Sequence, residues 1–417
     1  MENPKKAIPY SSAFIKELLN TYGSPLYIYD KKNITENAQE LYNAFSWHTK
    51  FKNYFAVKAT PTAKLLSHLH SIGMNMDCSS YAELTLVEKL GFKGDALFFS
   101  SNNTPRKDMK KALELEAIIN LDDISLLDFL IDTAKDKEFP KTLSFRFNPG
   151  PLKEGNVFIG KPEEAKYGLT YEQLFPAFQK AQTIGVQKFG LHTMVASNEL
   201  NPYYFVENAK LLFSVAVEIQ KKLNVNIDII NLGGGIGIPY MPGQEKVDYN
   251  IISQGTQKAY KEQLSPAGLN PAIYMENGRV ITGPYGYLLS TVLHKKAIYK
   301  DYVGLDACMS QLMRPGMYGA YHEITVLEKE ELPKDKTYDV VGGLCENNDK
   351  FAIDRALPTI EVGDIVIIHD VGAHGHAMGF NYNGKLRCAE VLIHEDMQHE
   401  LIRRAETVED YLRTSIF

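Results

Sequence analysis

Eight short apolar runs, most of them followed by an amphipathic stretch, fill the chain from about residue 50 to 280. The runs are Phe51–Ala59, Met74–Ser80, Ala96–Ser101, Ala117–Asp122, Leu143–Pro149, Phe189–Val195, Ile227–Gly233 and Ala272–Arg279. Each reads as a strand that ends in polar residues or glycine. Thr62–Ile72, Tyr81–Leu90, Tyr171–Ile184 and Phe205–Leu223 read as helices between them. Strand–helix alternation implies a parallel sheet, and eight repeats predict an α/β fold built as a closed (β/α)8 barrel. An open, doubly wound sheet is the alternative. The positions of the polar residues separate the two. Lys58, Asp77, Ser80, Arg146, Asn148, Ser197, the Gly233-Gly234-Gly235 run and Glu276 all fall at or just past C-terminal strand ends. A barrel gathers those ends into one mouth, where active sites form, whereas an open sheet spreads them along an edge.

Past residue 285 the strand-like runs continue without long helices: Tyr287–Lys296, His322–Glu328, Tyr338–Gly342, Asp364–His369 and Ala389–His394. Turn signals such as Gly363-Asp364 and Asn383-Gly384 separate them. This predicts a mostly antiparallel β domain closed by a short helix near Glu409–Arg413. The expected division is a barrel over 32–285 and a β domain made of 1–31 and 286–417, the N-terminal piece bringing a helix-like run at Ser11–Thr21 and a strand at Pro25–Tyr29.

Of the 417 residues, 44% are hydrophobic and 23% charged, which suits core-forming globular domains. The net charge of −6 gives no basic footprint for nucleic acid. No apolar run approaches the roughly 20 residues of a membrane span. The start, Met1-Glu2-Asn3-Pro4-Lys5-Lys6, lacks the apolar stretch of an export signal. Cys78, Cys308, Cys345 and Cys388 are scattered without a C-x-x-C pair, so neither a disulfide framework nor a zinc site is expected, and a cytoplasmic location is the default.

Several residues carry chemistry. Lys58 ends an apolar strand; desolvated, its amine is a nucleophile towards carbonyl groups, and solvated it is an ordinary strand-end lysine. Gly233-Gly234-Gly235-Ile236-Gly237 after a strand either cradles a phosphate with backbone N–H groups or forms a tight turn. It is neither a Walker loop nor a G-x-G-x-x-G fingerprint. Glu276 and Arg279 either pair with each other or hold a ring nitrogen and an anion. A carboxylate beside a pyridine nitrogen keeps that ring protonated and a better electron sink. Cys345 either is a small core residue or, beside the acid Glu346, stays protonated and able to donate. Arg314 either clamps a carboxylate through two parallel hydrogen bonds or makes a surface ion pair. His374 and His376 lack the neighbouring acids or thiols of a metal site, and no metal is expected.

Read in order, YFAVKAT (54–60), DCSSYAEL (77–84), RFNPG (146–150), NLGGGIGIPY (231–240), ENGR (276–279), RPGMYGAYHEI (314–324), CENND (345–349) and GAHGHAM (372–378) followed by FNYN make a recognisable series. The chain resembles the fold-type III pyridoxal-phosphate decarboxylases, within them the diaminopimelate decarboxylases, from about Gly23 to about Asp396. The resemblance implies an alanine-racemase-like barrel with a C-terminal β domain, pyridoxal 5'-phosphate as cofactor, and a homodimer with shared active sites. It implies a small amino-acid substrate, meso-diaminopimelate decarboxylated to L-lysine, and no nucleic-acid or membrane partner. By the same resemblance Lys58 holds the cofactor, with Asp77 and Glu83 as nearby acids. Ser197, Gly234 and Gly235 take its phosphate, Glu276 faces its ring nitrogen, and Gly278 and Arg279 complete that side. Arg279, Arg314, Tyr318 and Glu346 match substrate-binding positions. Cys345 matches the proton donor, entering the neighbouring subunit's site together with Glu346.

Four strings depart from the family pattern. Its H-x-G-S string, whose histidine covers the cofactor ring, reads Met194-Val195-Ala196-Ser197, with His192 two residues earlier on the same side of the strand. Its E-P-G-R reads Glu276-Asn277-Gly278-Arg279, a glycine pair before Glu83 reads Tyr81-Ala82, and the tyrosine of G-A-Y that touches cofactor and substrate is His374. The alternatives are a same-fold decarboxylase of ornithine, lysine, carboxynorspermidine or a biosynthetic derivative, a racemase, or a non-catalytic homologue.

Overall fold

A computed structural model describes residues 6–135, 138–156 and 160–417. The polar string Met1–Lys5 that argued against an export leader lies outside the described residues. The chain divides into two compact units, one holding residues 35–238 and 246–280, the other the described residues up to Ile34 with Pro239–Glu245 and Ile281–Phe417.

The first unit is the barrel. With Leu26–Asp30 numbered β1, its strands are β2 (Lys52–Ala56), β3 (Asn75–Cys78), β4 (Leu97–Ser100), β5 (Ile118–Leu121), β6 (Thr142–Arg146), β7 (Lys188–His192), β8 (Ile227–Asn231) and β9 (Ala272–Met275). They pair in sequence order, all parallel, and β2 closes on β9 through Lys52↔Tyr274 and Asn53↔Met275. Strands covered on both faces carry nearly continuous apolar residues, as β5 and β9, buried throughout, illustrate; β3 is equally buried but places Asn75 and Asp77 among its four residues. Tyr54, Phe98, Ile118, Ile229, Ala272 and Tyr274 form one packed cluster among these strands. Crossover helices are started by local chemistry. Thr170 and Gln173 form a reciprocal capping box for Tyr171–Thr183, and the Asn201 side chain accepts the Tyr203 N–H to begin Pro202–Leu223.

The second unit is a sheet in the order β14-β13-β11-β10-β1-β16-β17, with β15 bonded to β10 and β12. Its later strands are β10 (Gly286–Ala297), β11 (Asp301–Leu305), β12 (Ile324–Val326), β13 (Lys336–Val341), β14 (Lys350–Leu357), β15 (Ile365–Ile368), β16 (Ala389–Ile393) and β17 (His399–Arg403). Its pairings are antiparallel except β1 with β16 and β11 with β13. The N-terminal helix Ser12–Tyr22 and β1 belong to this unit. Ile15, Leu18, Leu26 and Ile28 share a core with Leu289, Ile367, Val391 and Ile393. Residues 239–245 join it because the Tyr240 ring packs edge-on against His322 and beneath the Arg314 guanidinium. Among the described residues no helix is long and apolar enough to cross a membrane.

Candidate active site

The C-terminal ends of the barrel strands set the site. After β2 the chain turns through Val57–Ala59, where Val57 and Ala59 stay buried and Lys58 is left exposed. Gly278 makes room for that turn, since a Cβ there would stand 2.8 Å from the Ala59 Cβ. Asp77 on β3 is buried and its Oδ1 has no hydrogen-bond partner. Burial, then the charge of Glu276, push its carboxyl well above the ordinary carboxylate range, with Lys58 opposing. An orphaned buried oxygen costs about 1–3 kcal/mol and suits a site completed by a ligand. Glu83 is already engaged: its Oε2 accepts from the Ser79 N–H at 2.7 Å and the Ser79 hydroxyl at 2.9 Å.

Glu276, directly after β9, has both carboxylate oxygens occupied. Asn231 Nδ2 donates to Oε1 at 2.8 Å and His192 Nε2 lies 3.2 Å from Oε2. Burial raises its pKa, but the His192 hydrogen bond and the nearby charges of Lys58 and Arg146 outweigh it and hold the carboxyl below its usual value. Glu276 is thus held as a carboxylate, while the buried Asp77 beside it is pushed towards its neutral form. Arg146 is held by Asp122 at 3.2 Å and lies 4.3 Å above the Tyr167 ring.

The glycine run is built for close approach. A Cβ on Gly233, Gly234 or Gly235 would meet Thr193 O at 2.3 Å, Glu276 O at 2.4 Å or Ala196 O at 2.3 Å, and Gly233 and Gly235 take φ of +71° and +99°. Gly233 N–H donates to Asn231 Oδ1 at 3.0 Å, so one amide ties the glycine turn to Glu276. The Ser197 hydroxyl accepts from Arg279 Nη2 at 3.4 Å. Met194 stands where the family resemblance places a histidine, and its sulfur accepts the Gly234 N–H at 3.2 Å. The hydroxyl and the guanidinium, beside a run too tight for side chains, suit a phosphate, although the Gly233 and Gly234 amides are already given to Asn231 and Met194.

The second unit positions the other residues named from the sequence. Arg314 is buried at the start of the short helix Arg314–Tyr318. His322 donates from Nδ1 to the His369 carbonyl at 2.8 Å, which leaves Nε2 to accept from Arg314 Nη1 at 3.1 Å. Tyr318, Cys345 and Glu346 are exposed. The loop carrying the last two is pinned by buried Asp349, whose carboxylate accepts the Met309 N–H at 2.6 Å and the Leu344 N–H at 2.7 Å. Asn348 O leaves no room for a Cβ on Gly316, at 2.3 Å, so helix and loop pack together. A cleft of about 440 Å³ beside them is lined by Gly316, Tyr321, Asn348, Phe351 and Arg355. His374, half-buried, takes the left-handed conformation at φ +55°, and His376 turns its Nε2 to the Cys388 carbonyl at 3.1 Å. Asn120, Asn231 and Asp349 are site-ordering residues that sequence reasoning missed.

A family model for pyridoxal-dependent decarboxylases, pyridoxal binding domain, matches residues 31–283. The chain is 39% identical over 411 residues to Protein TabA of Pseudomonas amygdali pv. tabaci, covering 97% of this chain and 96% of that one. It is 33% identical over 415 residues to the diaminopimelate decarboxylase of Methanothermobacter thermautotrophicus, covering 99% and 96%. The crystal structure of diaminopimelate decarboxylase from M. jannaschii in co-complex with L-lysine matches with a TM-score of 0.88 at 29% identity, over 97% of this chain and 94% of that one.

Proposed function

The chain belongs to the pyridoxal-dependent decarboxylases, and from that premise we propose that it converts meso-diaminopimelate to L-lysine with release of carbon dioxide. It is an amino-acid carboxy-lyase that uses pyridoxal phosphate. The residues at the barrel mouth fit that group: Asp77 has an orphaned oxygen, the glycine run admits no side chain, and Ser197 and Arg279 add donors. One observation carries the reading, the gathering at the barrel mouth of an amine, a carboxylate held in its charged form and an anion cradle.

When bound, pyridoxal phosphate supplies an electron sink for the pair left by the departing carbon dioxide. Lys58 would hold it through its ε-amine, Gly234, Gly235, Ser197 and Arg279 by its phosphate, and Glu276 by its ring nitrogen. Asp77, its carboxyl pushed towards the neutral form by burial and by Glu276, limits the negative charge beside that acid. Arg314 grips a substrate carboxylate, Glu346 takes a distal ammonium, and Tyr318 lines the same pocket. Cys345 delivers a proton from Sγ to the substrate Cα. The exposure of Cys345 and Glu346 supports a homodimer in which each subunit lends them to its partner.

Carbon dioxide release measured over meso-diaminopimelate and both enantiomers of lysine and ornithine tests the substrate. Met194 and His374 favour a second reading, a same-fold decarboxylase of another amino acid, and fastest release from ornithine would establish it. Borohydride treatment of purified protein is expected to fix the cofactor on the peptide containing Lys58; labelling at another lysine removes the assignment. Gly235→Ala combines a left-handed backbone with a blocked Cβ. It is expected to lose about 1–3 kcal/mol of stability and the rise in melting temperature that pyridoxal phosphate gives the parent protein.

A further inference from the structure

We propose that His192 is the positioning residue that keeps the Glu276 carboxylate ionised and aimed, and that Asn120 in turn fixes His192. The inference rests on the reading that Glu276 faces the cofactor's ring nitrogen.

His192 is the last residue of β7 and only 1% exposed. Asn120, on β5, donates from Nδ2 to His192 Nδ1 at 3.1 Å and to the Ser100 hydroxyl on β4 at 3.1 Å. With Nδ1 accepting, the imidazole proton sits on Nε2, and it is donated to Glu276 Oε2. One chain of hydrogen bonds thus crosses the barrel from β4 through β5 and β7 to the residue after β9. A carboxylate buried this deeply favours its neutral form unless hydrogen bonds and charge hold it ionised. Asn231 supplies one such bond, and His192 supplies the other. A neutral acid at Glu276 would no longer favour a protonated ring nitrogen. Two residues further along, Met194 spends its sulfur on the Gly234 N–H, so the imidazole offered by this strand end lies behind the acid.

The test loads cofactor labelled with ¹⁵N in its ring and reads the protonation of that nitrogen by its NMR shift. Glutamine places an amide donor where the imidazole Nε2 stands, and asparagine is too short to reach Glu276. His192→Gln is therefore expected to keep the protonated resonance. His192→Asn is expected to move it towards the unprotonated position and to weaken cofactor binding at least about tenfold, the effect of losing one charge-assisted hydrogen bond. With substrate, kcat should fall in His192→Asn while KM changes little. An unmoved resonance in His192→Asn, or equal shifts in both variants, overturns the inference, because a histidine that merely fills space does not distinguish the two amides. Should His192→Asn fail to fold, Asn120→Leu carries the test: a smaller shift in the same direction is expected, and a parental resonance overturns it. If the unsubstituted protein itself shows an unprotonated ring nitrogen, the underlying reading of Glu276 fails instead.

Discussion

A one-to-one mixture of Lys58→Ala chains and Cys345→Ala chains, each nearly inactive alone, is expected to recover about a quarter of the parental activity. Removing a group that transfers a proton in the reaction typically costs about 10²–10⁴-fold, so the Cys345 variant should fall that far, and the Lys58 variant loses the amine that holds the cofactor. In a two-fold dimer with shared sites, a mixed pair holds one site with both defects and one with neither. Random pairing makes about half the dimers mixed, hence about a quarter of all sites whole. Exchange is verified by tagging the two chains with different masses. Verified exchange without recovered activity sinks the shared-site reading, and full activity in either single variant removes that residue from the chemistry.

Arg314→Lys is expected to lower kcat/KM on meso-diaminopimelate by roughly 10- to 150-fold, the equivalent of one charge-assisted hydrogen bond of about 1.5–3 kcal/mol. The guanidinium is buried, hydrogen-bonded to His322 and stacked 4.6 Å from the Tyr240 ring. A planar guanidinium can pair with a carboxylate through a bidentate fork, and a lysine ammonium cannot. Discrimination against plain lysine should collapse in parallel. No loss on substitution would favour the reading in which the substrate has a single carboxylate.

The barrel was legible because its eight strands are largely buried and end in polar residues or glycine, so apolar runs and their terminators marked them twice. In the sheet unit β11, β14 and β17 escaped notice. The stretches Lys350–Leu357 and His399–Arg403 are largely exposed or half-buried and lack a sustained apolar pattern. Lys58, Glu276 and the glycine run stood out by their position and company. Asn120 and Asn231 did not, since an asparagine within a strand has no local mark. Its meaning comes from a partner placed by barrel register, 72 residues away for Asn120 and His192, and 45 for Asn231 and Glu276. Asp349 lay inside a recognised string, yet nothing nearby in sequence shows its bond to the Met309 amide.

The glycine run sets a limit on redesign. Three separately encoded segments, 193–196, 233–235 and 276, meet there backbone to backbone, each at a separation that leaves no space for a methyl group. A randomised library over 233–235 is thus expected to be almost wholly misfolded, and the glycine run and the backbone at Glu276 cannot be altered independently. Variation aimed at a new substrate starts better elsewhere, in the stretch around Met317 and Tyr318, which are 58% and 59% exposed.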